Sequence, residues 1–232
     1  MVQAGVTSGT LARRLCRKPM FVPAHLERLR TKVVGFPCDA TVPDLEDAVP
    51  PDAKQAARDG ATAYVGARPG HAFISIDPLV SRAVFPIPCG TEDIAAVVRP
   101  ALLGLVFPKV ETAEDLHGSI FAVSAAEGRA ELADRTIELW TIVETARGVV
   151  DAAALARLPL GRSVRFCFGA GDCTRDIGVE WTRGERFTAR SMVERAGAGA
   201  FVVDGMMIDY PIIERAREVV ALHAEIGVEA TQ

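Results

Sequence analysis

Short apolar runs alternate with stretches of helical period along most of this chain, and each run closes on a polar or glycine-rich turn. A run that is apolar throughout, rather than at every second position, marks a strand buried on both faces, and its alternation with helices marks βα units around a parallel sheet. The pattern predicts strands over 20–22, at a short run ending in Asp44-Leu45-Glu46-Asp47, and over 72–76, 103–107, 137–143 and 164–168, with a further strand and turn over 201–205. Helices are expected over 26–34, from Pro50-Pro51-Asp52 onward, over 91–99, from Thr112, and over 149–158, 187–195 and 211–224. Thr91 and Thr112 read as N-caps, and Glu92 and Asp93 suit the positive end of the helix dipole. About six βα units are legible before residue 179, whereas a closed barrel of such units has eight strands and typically about 250 residues. The glycines and alanines of 196–200 read as a hinge before the last segment.

Composition narrows the class without choosing a chemistry. Of 232 residues, 49% are hydrophobic and 24% charged, which is ordinary for a globular protein, and no apolar run is long enough to cross a bilayer. A formal net charge of −4 gives no electrostatic reason to expect nucleic acid or an anionic membrane as partner. Five cysteines, an odd number scattered without CxxC spacing, do not resemble a disulfide framework, so a reducing, cytoplasmic setting is expected. Arg13, Arg14, Arg17 and Lys18 stand in an acid-free start; without a clear amphipathic period this reads as a frayed tail rather than an organellar presequence.

The acids divide by position. Glu46, Asp47, Glu111, Glu144 and Asp172 fall where strands emerge, the end at which parallel barrels carry their chemistry, whereas Glu127, Glu131 and Glu218 fall on helix faces and are expected to be solvated. Glu144, in Val143-Glu144-Thr145-Ala146-Arg147-Gly148, and Asp172, in Phe168-Gly169-Ala170-Gly171-Asp172, each end an apolar run at glycine. Two such carboxylates suit Mg²⁺, a hard cation that keeps positions open for water and substrate; equally, they suit caps of the helices that follow. Asp44, Glu46 and Asp47 either orient metal-bound water or begin a helix beside Pro50. Lys109 and Glu111 read as an internal ion pair or as substrate contacts. The four histidines are dispersed, no HExxH or GxSxG occurs, and Gly169-Ala170-Gly171 lacks both the third glycine of a dinucleotide fingerprint and the lysine of a phosphate loop.

In their order, Phe21-Val22-Pro23-Ala24, Asp44-Leu45-Glu46-Asp47-Ala48-Val49, Pro108-Lys109-Val110-Glu111, Glu144-Thr145-Ala146-Arg147-Gly148 and Gly169-Ala170-Gly171-Asp172 resemble CitE-like proteins. These belong to the HpcH/HpaI aldolase and citrate lyase superfamily, with citrate lyase beta subunit, malyl-CoA lyase and citramalyl-CoA lyase as members. The resemblance covers residues 17–190 and 200–221. It implies a TIM-type (β/α) barrel with a C-terminal lid segment, in a homo-oligomer of trimer or hexamer-of-trimers type. It also implies Mg²⁺ on Glu144 and Asp172, with an acyl-CoA thioester and a 2-oxo acid as substrates of reversible carbon–carbon cleavage. Arg17 is then expected at the CoA phosphates, Ser75, Lys109 and Glu144 at the substrate, and Glu46 and Asp47 in catalysis. Met206-Met207-Ile208-Asp209-Tyr210-Pro211 matches the segment that supplies an acid/base aspartate from a neighbouring subunit, which puts that role on Asp209, with Asp204 the weaker candidate; read alone, Asp209 caps the last helix.

Two departures bear on activity. Ile74-Ser75-Ile76-Asp77 places Ser75 where the family carries an arginine for the oxo-acid carboxylate, a loss that commonly costs about 10²-fold in rate. The family's seventh strand, seventh helix and eighth strand find no counterpart, so the barrel is expected to be incomplete or atypically closed. The chain divides into a tail (residues 1–16), a barrel domain (17–195) and a C-terminal segment and helix (196–232). Three functions follow: an Mg²⁺-dependent 3-hydroxyacyl-CoA lyase, a degenerate barrel that binds metal or partners without turnover, and a class II aldolase acting on pyruvate and a free aldehyde.

Overall fold

A computed structural model describes residues 16, 18–70, 72–78, 90–178, 201–203, 206–208 and 217. Arg17, Asp204, Asp209, Glu218 and the helices expected over 187–195 and 211–224 lie outside the described residues, apart from Arg217, which is helical. The strands are β1 (Pro19–Pro23), β2 (Ala40–Asp44), β3 (Phe73–Ser75), β4 (Gly104–Phe107), β5 (Glu138–Val143), β6 (Val164–Phe168), β7 (Phe201–Val203) and β8 (Met206–Ile208). The helices are α1 (Glu27–Val33), α2 (Lys54–Ala67), α3 (Gly90–Val97), α4 (Ala113–Arg129), α5 (Ala146–Leu155) and α6 (Ala170–Asp176).

The first six strands form one sheet, all parallel, in the order β1-β2-β3-β4-β5-β6. Because that order never reverses and parallel crossovers are right-handed, the sheet is singly wound, as a barrel wall is, rather than doubly wound with helices on both faces. Among the described residues the wall is open: β1 pairs with β2 and β6 with β5, while β7 and β8 form a separate antiparallel pair. The sequence pattern puts one strand and turn over 201–205 and no strand at Met206-Met207-Ile208, a three-residue partner too short to show alternation.

Alternation across the pleat sorts the core into two clusters. Ile74, Leu105 and Leu139 face the helices and pack with Val65, Ile94, Leu116 and Val123. Each fully buried side chain of this size contributes roughly 1.5–3 kcal/mol. Ala40, Val42, Phe73, Val106 and Trp140 make the other face, where the Phe73 and Trp140 ring centroids lie 4.3 Å apart. The strands all point the same way, so the exits of β2 to β6 share one end of the sheet.

Local chemistry sets the boundaries of the helices. Thr112 caps α4 through a capping box with Asp115, as its sequence suggests. Thr91 does not cap α3: the helix already includes Gly90, so Thr91 is its second residue. Helix α5 starts at Ala146 rather than Val149, because Thr145 accepts the Gly148 N–H at 3.0 Å and nucleates the turn earlier. Glu127 overturns the expectation of a solvated helix face. It is 1% exposed, pairs with Arg162 at 2.8 Å, and accepts the N–H groups of Ile137 at 2.7 Å and Arg135 at 3.2 Å. No helix among the described residues is long and apolar enough to cross a membrane.

Candidate active site

Four carboxylates and one ammonium converge at the exits of β2, β4, β5 and β6. Lys109 follows β4 by two residues, is 2% exposed, and has φ of 53°, in the left-handed region that costs a non-glycine residue energy. That backbone turn sends its side chain across to the β2 exit, where Nζ contacts the Glu46 carboxylate and lies 2.9 Å from Asp47 and 3.6 Å from Asp172. The same turn aims the Lys109 N–H at Glu144 Oε1, 2.9 Å away. Lys109 is thus an internal ion-pair partner of three acids from the β2 and β6 exits, whereas its sequence suggested Glu111 as the partner. Glu111 is half-buried, and its N–H donates to Asp115 at 3.0 Å.

Glu144 and Asp172 come together as the sequence proposed. Lys109 joins them, its N–H on Glu144 Oε1 at 2.9 Å and its Nζ 3.6 Å from Asp172, and burial, with the Asp172 charge adding to it, raises the Glu144 carboxyl. Neither caps a helix with its side chain: Thr145 caps α5, and Asp172 lies in the first turn of α6, whose cap position is Gly169. The sequence Gly169-Ala170-Gly171-Asp172 is therefore a cap and first helical turn rather than an open strand exit. A Cβ at Gly169 would overlap the Glu144 carboxylate and come within 2.8 Å of Ile142, so the glycine keeps open the space that the carboxylate fills. Gly148 does the same for the next turn, where a Cβ would lie 2.8 Å from the Val110 carbonyl.

The electrostatics favour an added cation. Burial pushes the Glu46 and Glu144 carboxyls well above the usual carboxylate range, and burial with the charge of Asp47 brings Asp172 up to about 6 despite Lys109. Burial pulls the Lys109 ammonium down, but the charges of Glu46, Asp47, Asp172 and Glu144 outweigh it and hold its pKa well above the ordinary value. Asp172 Oδ1 is buried and has no hydrogen-bond partner among the described residues. No group of three or more His, Cys, Asp or Glu side chains forms a closed metal cage among those residues. Two carboxylates with the remaining positions left to water and substrate are what Mg²⁺ ordinarily takes. The donors present thus fit Mg²⁺ held by Glu144 and Asp172.

Other assigned residues stand differently. Ser75 ends β3, is 1% exposed, and gives its carbonyl to the Leu45 N–H at 3.0 Å. Arg147, three residues beyond Glu144, pairs with Asp151 at 2.9 Å along α5. Four residues escaped notice in the sequence as parts of one network. Lys54 donates to Asp77 at 2.7 Å, Arg58 donates to Asp93 at 2.8 Å, and the Asp77 N–H donates to Asp93 at 2.9 Å. The signal available was a Lys and an Arg one helical turn apart at the start of α2.

A singly wound parallel α/β sheet with its acids gathered at the strand exits is the architecture of a TIM-type (β/α) barrel. The chain matches HpcH/HpaI aldolase/citrate lyase over residues 17–232, and it belongs to that family. It is 34% identical over 194 residues to the citrate lyase subunit beta-like protein of Deinococcus radiodurans, an alignment covering 78% of this chain and 62% of that one. It is 31% identical over 171 residues to the malyl-CoA/beta-methylmalyl-CoA/citramalyl-CoA lyase of Chloroflexus aurantiacus, covering 70% of this chain and 47% of that one. Among solved structures, the citrate lyase beta subunit of M. tuberculosis, complexed with oxaloacetate and magnesium, shares the fold with a TM-score of 0.52. That match is 22% identical and covers 80% of this chain and 75% of the other. The chain thus spans less than two thirds of the length of these curated relatives.

Proposed function

We propose that the chain is an Mg²⁺-dependent carbon–carbon lyase that cleaves or forms a 3-hydroxyacyl-CoA thioester of the malyl-CoA or citramalyl-CoA type, with acetyl-CoA and a 2-oxo acid as the other side of the reaction. The observation that carries this reading is the convergence of buried Glu144 and half-buried Asp172 on Lys109, with one Asp172 oxygen left without a partner among the described residues. The lyase named among its relatives and the magnesium complex of the M. tuberculosis protein support it.

Mg²⁺ held by Glu144 and Asp172 would supply Lewis acidity toward the oxygens of a 2-oxo acid. The protein's own groups then have separate tasks. Lys109 holds Glu46, Asp47 and Asp172 in one pocket and fixes Glu144 through its N–H. In the cleavage direction the 3-hydroxyl loses its proton, the C2–C3 bond breaks, and its electron pair passes to the thioester α-carbon, which takes up a proton. Glu46 and Asp47 stand at the pocket wall as proton carriers, and Asp209, outside the described residues, is assigned the proton at the α-carbon. Arg17, also outside them, is assigned to the CoA phosphates.

A second reading, a barrel that binds the cation and partner subunits without turnover, draws on Ser75, a buried neutral side chain where the family carries arginine. Incubating purified protein with malyl-CoA and Mg²⁺ and measuring acetyl-CoA and 2-oxo acid separates the two. Stoichiometric release of both products, lost in Glu144→Ala, supports the lyase; Mg²⁺ binding with no product supports the second reading.

A further inference from the structure

We propose that Lys54 is a positioning residue for Glu46 and Asp47, acting through the two peptide groups that carry them; this rests on reading the Glu46, Asp47, Lys109, Glu144 and Asp172 cluster as a cation centre. Lys54 opens α2, directly after a 3-10 turn over Pro51–Ala53 that follows the loop leaving β2. Its ammonium reaches back to the Leu45 carbonyl at 2.5 Å, the Glu46 carbonyl at 3.0 Å and Asp77 Oδ1 at 2.7 Å. An ammonium has three donors, and here each has an acceptor.

Those two carbonyls belong to the consecutive peptide groups Leu45–Glu46 and Glu46–Asp47. On their other side Asp44 accepts the Glu46 N–H at 3.0 Å and the Ala48 N–H at 3.3 Å. The turn is therefore held by Asp44 through its N–H groups and by Lys54 through its oxygens, with the Val49 N–H also on the Glu46 carbonyl at 3.0 Å. With the peptide planes fixed, the Glu46 and Asp47 side chains are aimed at Lys109, whose own backbone N–H holds Glu144. Lys54 touches none of the reacting groups.

The competing role is neutralisation: Asp77 is buried, and an ammonium beside it makes its charge tolerable. The two roles separate when the charge is removed together with the lysine. In D77N the carbonyl contacts survive, and Mn²⁺ binding, read by electron paramagnetic resonance, is expected to match wild type. In the K54M/D77N double variant the Asp77 charge leaves together with the ammonium, Asp44 keeps its two N–H donors, and the Leu45 and Glu46 carbonyls lose the ammonium. Its Mn²⁺ dissociation constant is expected to rise by about tenfold or more, as when outer-shell partners of metal ligands are removed. kcat for malyl-CoA should fall while KM changes little. A double variant that binds Mn²⁺ as D77N does would overturn the proposal.

Hydrogen exchange at the Glu46 and Ala48 amides, followed without metal, reads the turn directly. Faster exchange in the double variant than in D77N supports Lys54's hold on the turn; equal exchange overturns it. Should wild type bind no Mn²⁺, the cation-centre reading fails while exchange still decides whether Lys54 fixes the turn. K54Q/D77N, whose shorter side chain cannot reach both carbonyls, carries the same two outcomes if the methionine variant does not fold.

Discussion

Lys109 holds Glu144 through its backbone N–H, at 2.9 Å, while the ammonium of the same residue lies 3.6 Å from Asp172. One residue thereby fixes one candidate metal ligand geometrically and the other electrostatically. The left-handed backbone of Lys109 is what allows both at once.

Replacing Lys109 by Met leaves four acids facing one another in a buried pocket. Removing one partner of a buried ion pair costs about 3–5 kcal/mol, and that is the loss expected here in metal-free denaturant unfolding. Saturating Mg²⁺ should restore part of it, because the cation replaces the missing charge. A loss below about 1 kcal/mol, in the range of a surface pair, would contradict the role given to Lys109.

Gly169→Ala places a methyl group against the Glu144 carboxylate. Overpacking of this kind costs about 1–3 kcal/mol, so the fold should survive while Glu144 is displaced. Isothermal titration should show Mg²⁺ affinity reduced by a larger factor than in Gly66→Ala, where an added Cβ meets nothing within 4 Å. Equal affinity in the two variants would count against Glu144 as a ligand.

Asp77 predicts a pH dependence of stability. Burial raises its carboxyl to about 7, against the opposing charge of Lys54 and with Asp93 and Asp44 adding to the rise. A folded-state pKa above the unfolded value means that the folded chain binds this proton more tightly. Its contribution to stability is therefore largest below about pH 4 and is lost as pH rises toward 7. Each unit is about 1.4 kcal/mol, so Asp77→Asn should be more stable than wild type at pH 8 by one to about 4 kcal/mol, with the gain gone at pH 4. Unfolding at the two pH values checks this; a gain that does not depend on pH would show that Asp77 is not the titrating group.

Glu127→Ala tests a buried pair remote from the strand exits. It strands Arg162, 3% exposed, and frees the Ile137 and Arg135 N–H groups, for an expected loss of about 3–5 kcal/mol with Mg²⁺ affinity unchanged. A change below about 1 kcal/mol would mean that water replaces the carboxylate at no cost.

The fold was legible where apolar runs were continuous. Gly104-Leu105-Val106-Phe107 and Val164 to Phe168 read as strands because parallel strands are buried on both faces, and they are strands. The acids at the strand exits were legible for the same reason: strand direction alone places Glu46, Asp47, Glu144 and Asp172 at one end. What joins them was not legible. That Lys109 turns through a positive φ and that Lys54 reaches back over a 3-10 turn depend on backbone geometry no periodicity encodes. Glu127 looked solvated because helix period places it on a polar face, and only the arrival of Arg162 buries it. Thr91 and Thr112 have the same cap chemistry, and a preceding helical Gly90 separates their outcomes.

The most direct test of the central claim is cleavage of malyl-CoA and citramalyl-CoA, followed at the thioester absorbance as Mg²⁺ is titrated, with EDTA as control and Asp172→Ala beside wild type. Cleavage is expected to rise with Mg²⁺, to vanish in EDTA and to be lost in Asp172→Ala. Cleavage that persists in EDTA or in Asp172→Ala, or an absence of cleavage at saturating Mg²⁺, would contradict that claim.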